Sequence, residues 1–348
     1  MEGHNFKNAG ILVLIVVLLF VTGYELYWRS KGFSISYNDD ESLWSSKRKT
    51  IYSSPEKTTV FIGSSRIKFD LDIPTWDSIT GNKAIQLSMV GTSPRPFLED
   101  IANDKNFKGK LIIDVTEGLF FGRNTKRTEK SAVDGIEFYK KWTPAQKFSG
   151  VVNNVLESGI LFLEKNKFSL NSLLDDLPVP KRKGVVERPV FPKAFSMNTS
   201  ERQSFMDRNF LVDTSQQNNQ INNWRITGSF DKTPGISGDS LTVIFNKVKS
   251  ATDKIRARGG VVFFVRTPSS GGYLAAEKMN YPRQKYWDSL LIYTNCQGVY
   301  FEDYPAIAHF QCPEWSHLTP QDAIVFTKNL IDILEEKGWS FPNNQKTH

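Results

Sequence analysis

Five short apolar runs constrain this chain more than any other feature. They are "TTVFIGSS" (58–65), "AIQLSM" (84–89), "KLIIDVT" (110–116), "GVVFFVRT" (260–267) and "GVYFEDY" (298–304). Each is rich in β-branched or aromatic residues and is nearly continuously apolar. A strand with one wet face alternates polar and apolar residues, whereas a strand buried on both faces does not. The runs therefore predict a five-stranded parallel sheet with both faces covered. Parallel neighbours need long crossovers, and helical segments lie between the runs. "SPRPFLEDIAND" follows the second run. "GDSLTVIFNKVKSATDKIRARGG" precedes the fourth, with Leu241, Ile244, Phe245, Val248 and Ile255 near a 3.6-residue period and Gly259 and Gly260 as its stop. In "LTPQDAIVFTKNLIDILEEKG", Thr319 suits the N-cap, Pro320 the first helical position, Asp322 a returned hydrogen bond, and Gly338 the end. Strands alternating with helices make an α/β sandwich.

Several segments stand outside that alternation. Residues 125–235 read as an insertion between the third and fourth strands. It holds a predicted helix near "GVVNNVLESGILFLEKN" and a Pro- and Lys/Arg-rich stretch, "LPVPKRKGVVERPVFPK". Such a segment is either a lid over a substrate or a peripheral helical layer. Residues 32–57, with "SYNDDESLWSSKRK", read as a polar stalk or irregular lead-in, and 341–348 as a tail. The α/β domain is then 58–340. Residues 9–24, "AGILVLIVVLLFVTGY", carry no charge. With Leu26, Tyr27 and Trp28 the run approaches the ~20 residues that cross a bilayer. Tyr24, Tyr27 and Trp28 fit an interfacial aromatic belt. No small-x-small cleavage site follows, so 1–31 reads as a tail and uncleaved single-pass transmembrane anchor. Lys7 on one side and Arg29 and Lys31 on the other leave the charge bias against export of the body. A short N-terminal tail and the ability of long domains to cross regardless of charge favour an extracytoplasmic domain.

The formal net charge is +7 and the pI about 9.1. That balance calls for an anionic partner: an acidic glycan, membrane headgroups or nucleic acid. No zinc-finger spacing and no long Lys/Arg run is present, so no nucleic-acid partner is expected. Cys296 and Cys312 have no CxxC neighbour, and neither a metal nor another cofactor is expected. In an exported domain the two are candidates for a disulfide; otherwise they are half-buried thiols.

Ligands of an open parallel sheet bind beyond the carboxyl ends of its strands. The first run ends in Gly63, Ser64, Ser65 and Arg66, the second leads to Gly91, and the third ends in Thr116, Glu117 and Gly118. The fourth ends in Arg266 and "TPSSG", and the fifth is followed by "AIAHFQCPEWSHLTPQDA". A serine nucleophile needs a neighbouring base, usually His. Of four histidines, His4 precedes the apolar run and His348 is the final residue of the sequence. That leaves His309 and His317. His317 stands just before the N-cap of the last helix, and Glu314, three residues earlier, can orient its ring. Arg66, Arg95, Arg123 and Arg266 follow strand ends and could gather on an anionic substrate group, since Arg captures carboxylate or phosphate bidentately. The plainer alternative pairs them with Asp114, Glu117, Glu302, Asp303 and Glu314 to hold loops. Trp315 is a core or rim residue, or else a platform for a sugar ring.

"FIGSSR", "LSMVGTSP", "DVTEGLFF" and "EWSHLTPQDA" occur in the order and approximate spacing of the SGNH (GDSL-type) hydrolase superfamily, which the chain resembles over roughly 58–120 and 258–337. The resemblance implies a three-layer α/β/α fold of flavodoxin-like kind. It also implies Ser65 as nucleophile, His317 as base, and Gly91 as an oxyanion donor beside the Ser65 amide. Ser64 stands where Asp is usual, Glu314 replaces the Asp of the final block, and Thr116 and Glu117 stand near the position of the oxyanion Asn. The layout is similar to membrane-anchored SGNH-like proteins of cell-surface polymer acylation. The expectation is thus an esterase or O-acyltransferase acting on carbohydrate acyl esters through a Ser-His-Glu triad. Arg66, Arg95, Glu117, Arg266 and Trp315 would line the substrate, and a membrane protein could donate the acyl group. The competing expectation is a catalytically inactive SGNH-like binding or assembly protein for an anionic polysaccharide.

Overall fold

A computed structural model describes residues 3–52, 57–123, 125–175, 177, 189–228 and 234–343. Seven strands occur among them: β1 Thr58–Ile62, β2 Lys83–Gln86, β3 Lys110–Asp114, β4 Met197–Asn198, β5 Ser204–Phe205, β6 Val261–Arg266 and β7 Gln297–Tyr300. The five expected runs form one sheet in the order β2-β1-β3-β6-β7. All of its pairings are parallel, with Val60 opposite Ile85 and Leu111, Ile112 opposite Phe263, and Val265 opposite Val299. β1 is buried along its whole length, and β3 and β6 are buried beyond their first residues, as expected of strands covered on both faces.

The covering helices fall into two groups. Helices Arg95–Asn103 and Ser289–Thr294 both pack on Asp239–Arg256, while Ser65–Asp70 and Ile73–Thr80 pack on Pro320–Glu336. The caps read from sequence are in place. The Thr319 side chain accepts the Asp322 amide, Pro320 opens its helix, and Gly259 and Gly338 take the left-handed backbone conformation that glycine adopts without a Cβ penalty.

Two boundaries differ from expectation. Of the expected stalk or lead-in 32–57, residues 53–56 lie outside the described residues, and the rest is no stalk: Asp40 caps the helix Glu41–Thr50, whose Leu43, Trp44 and Arg48 are buried. The Trp44 indole donates to the Leu87 carbonyl at 2.8 Å, and its ring lies 5.5 Å from that of Phe97. Nor do residues 341–343 form a free tail. Phe341 is buried against Trp76, and the Asn343 amide donates to the Thr80 carbonyl.

The insertion contains the helices Thr125–Lys140, Pro144–Glu157 and Thr214–Ile226 and the antiparallel pair β4–β5. Of its Pro- and Lys/Arg-rich stretch, 178–188 lie outside the described residues. A second apolar cluster of Phe69, Ala194, Phe195, Met206 and Phe210, with Phe33 and Trp224 at its edge, ties the insertion to the helix that follows β1.

The N-terminal helix Gly3–Ser30 is long and apolar enough to cross a membrane. Its most apolar window has a mean hydropathy of 2.4, and none of that window is buried by the rest of the protein. Among the described residues, its far end is the part that is held. The Glu25 carboxylate accepts the Leu161 and Phe162 amides at 3.0 and 3.2 Å, Arg29 donates to the Gly159 carbonyl at 2.8 Å, and the Tyr24 hydroxyl donates to the Phe168 carbonyl at 2.8 Å.

Candidate active site

β1 stops at Gly63 for a steric reason. A Cβ there would lie 2.6 Å from Asp114 Cβ and 2.8 Å from the Ile67 side chain, so only glycine lets the chain pass this close to β3. Ser64 then caps the short helix Ser65–Asp70, its hydroxyl accepting the Arg66 amide at 3.3 Å. Ser65 takes the first helical position, half-buried at the carboxyl end of the sheet. Its amide belongs to the opening turn, where N–H groups have no partner inside the helix.

The second component is the loop before the last helix. Trp315 turns it, with φ of +76°, a region that a bulky residue seldom occupies. The turn brings the Glu314 carboxylate back on His317: Oε1 accepts the His317 amide at 2.7 Å and lies 2.9 Å from His317 Nδ1. A carboxylate only accepts, so Nδ1 carries the proton and Nε2 offers its lone pair. Nε2 is 2.9 Å from Ser65 Oγ. Ser65, His317 and Glu314 thus form one hydrogen-bonded line, the arrangement that could activate a serine hydroxyl.

The helix that presents Ser65 also clamps this loop. Asp70 accepts the Leu318 amide at 3.0 Å, and Arg66 Nε donates to Ser316 Oγ at 3.4 Å. Burial pushes the Asp70 carboxyl well above the usual carboxylate range. His317 is buried under the rings of Phe69, Phe195 and Trp224, with Phe69 nearest at 4.4 Å between centroids.

Two participants were not foreseen. The Trp224 indole, on the insertion helix Thr214–Ile226, donates to Glu314 Oε2 at 2.5 Å and to the Glu314 carbonyl at 3.1 Å. Both oxygens of the Glu314 carboxylate are thereby occupied. Glu277, on the helix Gly271–Asn280, accepts from Arg66 Nη2 at 2.6 Å and from Arg266 Nη2 at 2.5 Å. Neither residue sits in a local pattern that marks it. Trp224 follows a polar "SQQNNQINN", and Glu277 lies in an ordinary short helix.

The expected substrate residues fare differently from the triad. Arg66 and Arg266 do converge, but on buried carboxylates rather than on an open cleft. Arg266 is fully buried and binds Glu117 at 3.0 Å as well as Glu277, Ser269 Oγ and the Thr267 carbonyl. Burial raises the Glu117 carboxyl above its ordinary range. Desolvation acts the same way on Glu277, but Arg66 and Arg266 together outweigh it and hold that group low. Arg95 pairs with Glu129 at 2.7 Å, and Arg123 donates to the Pro234 carbonyl at 3.1 Å. Trp315, half-buried, packs over Gly271 and Gly272, where an added Cβ would meet its ring at 2.6 and 2.8 Å.

Gly91 lies in an exposed turn after β2 with φ of +63°. Thr116 is adjacent to the nucleophile turn, but its hydroxyl is engaged with Ser64 Oγ at 2.7 Å and Asp114 at 3.2 Å. Cys296 and Cys312 are both free thiols, the first half-buried and the second buried, so the candidate disulfide is absent. No protein-family model matches this chain, and no curated protein matches it.

Proposed function

We propose that this chain is an SGNH-like serine ester hydrolase or O-acyltransferase working through Ser65, His317 and Glu314. One observation carries the reading: the unbroken line from Ser65 Oγ through both nitrogens of His317 to Glu314, each step 2.9 Å long. Ser65 Oγ attacks an acyl carbonyl while His317 Nε2 takes its proton. The tetrahedral intermediate collapses, and His317 returns that proton to the departing sugar oxygen. Water or a second sugar hydroxyl then enters by the same route in reverse and releases the acyl group. The Ser65 and Gly91 amides are the donors proposed for the oxyanion. Loss of a side-chain donor from such a hole lowers rate by about 10²–10³, so slow turnover is expected.

The strand order, counted within the sheet as 2-1-3-4-5, supports a flavodoxin-like, three-layer α/β/α reading of the SGNH kind. Carbohydrate as the acyl carrier rests on the sequence resemblance alone. We read Gly3–Ser30 as an uncleaved anchor, because hydrogen bonds from Tyr24, Glu25 and Arg29 fasten its end to the domain. The catalytic domain is extracytoplasmic in this reading, and a membrane protein is the natural acyl donor for transfer.

The engaged Thr116 hydroxyl favours one competitor, an inactive relative that keeps the fold for binding a polysaccharide. A serine-directed fluorophosphonate separates the two. Labelling that disappears in Ser65→Ala and His317→Gln is expected of the enzyme. Labelling that survives Ser65→Ala would refute the triad, and a wild-type chain that takes no label is the binding protein.

A further inference from the structure

The insertion helix Pro144–Glu157 has an outward face that none of the described residues covers. Phe148, Val151, Val152, Val155 and Leu156 are all exposed, Phe148 to 73% and Val155 to 67%. At 100° per residue they form one stripe about 140° wide. The opposite face is packed. Gly150 lies against Ser42, where a Cβ would be 2.5 Å from the hydroxyl, and the buried Glu157 accepts the Asn38 amide at 3.1 Å and its side-chain nitrogen at 2.7 Å. The helix is thus fixed with its apolar side turned out, not loosely swung away. A contiguous exposed apolar patch of this kind marks a surface that meets something apolar.

What it meets follows from where the helix ends. Two residues beyond Glu157, the Gly159 carbonyl accepts from Arg29, and Leu161 and Phe162 donate to Glu25. The Phe162 ring packs on Tyr24 at 5.7 Å, and Phe168 packs on Trp28 at 4.8 Å. Tyr24, Glu25, Trp28 and Arg29 are the last turns of the apolar helix Gly3–Ser30. Chain bonded to those turns lies at the level where the anchor leaves the bilayer, since helical residues advance only about 1.5 Å each. The uncovered stripe begins at that level. We infer that Pro144–Glu157 is an interfacial helix that lays Phe148, Val151, Val152 and Val155 into the headgroup–acyl boundary of the membrane holding the anchor, giving the domain a second attachment and one orientation. Amphipathic helices with bulky apolar faces bind bilayers in this way. The inference rests on the anchor reading above and is independent of the triad.

The test uses the full chain in phosphatidylcholine–phosphatidylglycerol liposomes containing a phospholipid with an acyl-chain diazirine. After photolysis, lipid adducts are mapped by mass spectrometry. Adducts are expected in the anchor, 6–28, and again in 148–156. In the double variant Val151→Asp/Val155→Asp, at exposed positions that the fold does not use, the second set should fall at least tenfold while the first persists. Adducts confined to the anchor would overturn the interfacial helix and leave the anchor standing. Adducts in neither segment would overturn the anchor reading and this inference with it. If the wild-type chain lacks the second set and the double variant converts a dimer to a monomer, the stripe is a self-association surface and the inference is wrong.

Discussion

Replacing Arg266 by Met tests whether the buried arginines hold the site together or serve a substrate. The cluster contains two guanidinium groups, Arg66 and Arg266, and two carboxylates, Glu117 and Glu277. All four side chains are almost completely buried, so the set is neutral by count only while complete. Arg266→Met leaves one cation for two carboxylates and also strips donors from Ser269 Oγ and the Thr267 carbonyl. Breaking a buried ion pair by removing one partner costs about 3–5 kcal/mol, which for a chain of this size lowers Tm by roughly 4–7 °C. The double variant Arg266→Met/Glu117→Gln restores the charge count and should recover about 1–3 kcal/mol of that loss.

The same cluster predicts a pH signature. Glu277 is held below its ordinary range, so its contribution is present above that range and fades as pH falls through its folded value. Glu117 is raised by burial, so its folded form takes up a proton first. In Arg266→Met, stability should therefore rise relative to wild type as pH falls through the raised Glu117 value. Thermal unfolding of wild type and both variants at pH 5 and 7 measures all of this. A loss under about 1 kcal/mol for Arg266→Met, with no recovery in the double variant, would refute the structural role.

Two smaller tests probe the triad. Trp224→Phe keeps a ring beside His317 but removes the donor to Glu314 Oε2. A lost hydrogen bond to a charged group is worth about 1.5–3 kcal/mol, and the fluorophosphonate labelling rate should fall about tenfold with the serine itself untouched. An unchanged rate would remove Trp224 from the triad's support. Gly63→Ala must push Asp114 or Ile67 aside, and overpacking of this kind costs about 1–3 kcal/mol, readable as a lower denaturation midpoint.

Sequence reasoning reached the sheet because its strands are largely buried, and burial on both faces writes a nearly unbroken apolar run. It reached His317 because only two histidines lay within the domain, and one of them preceded a strong helix cap. It failed where the determining contact is distant. Trp224 meets Glu314 across 90 residues, and no period or cap encodes that meeting. Glu277 looks like any helical carboxylate until two arginines from other strand ends close on it. The segment 32–57 misled because its many polar residues hide a short amphipathic helix. Asp40 ahead of Leu43 and Trp44 was a legible N-cap and apolar step, and Lys68 and Arg202 later converge on Asp39 beside it.

The hydrogen bond between Ser65 and His317 joins residues 252 apart in the chain. Domains generally fold as units during synthesis, and contacts over such separations carry a loop-closure cost that slows folding. Ser65, its strand and the insertion that carries Trp224 all leave the ribosome before His317 has been made. If Ser65 is the nucleophile proposed above, it therefore lacks its paired histidine through most of synthesis. That partner arrives only when Glu314–Leu318 closes on the helix Ser65–Asp70, so the proposed site is assembled by contacts between the two ends of the domain.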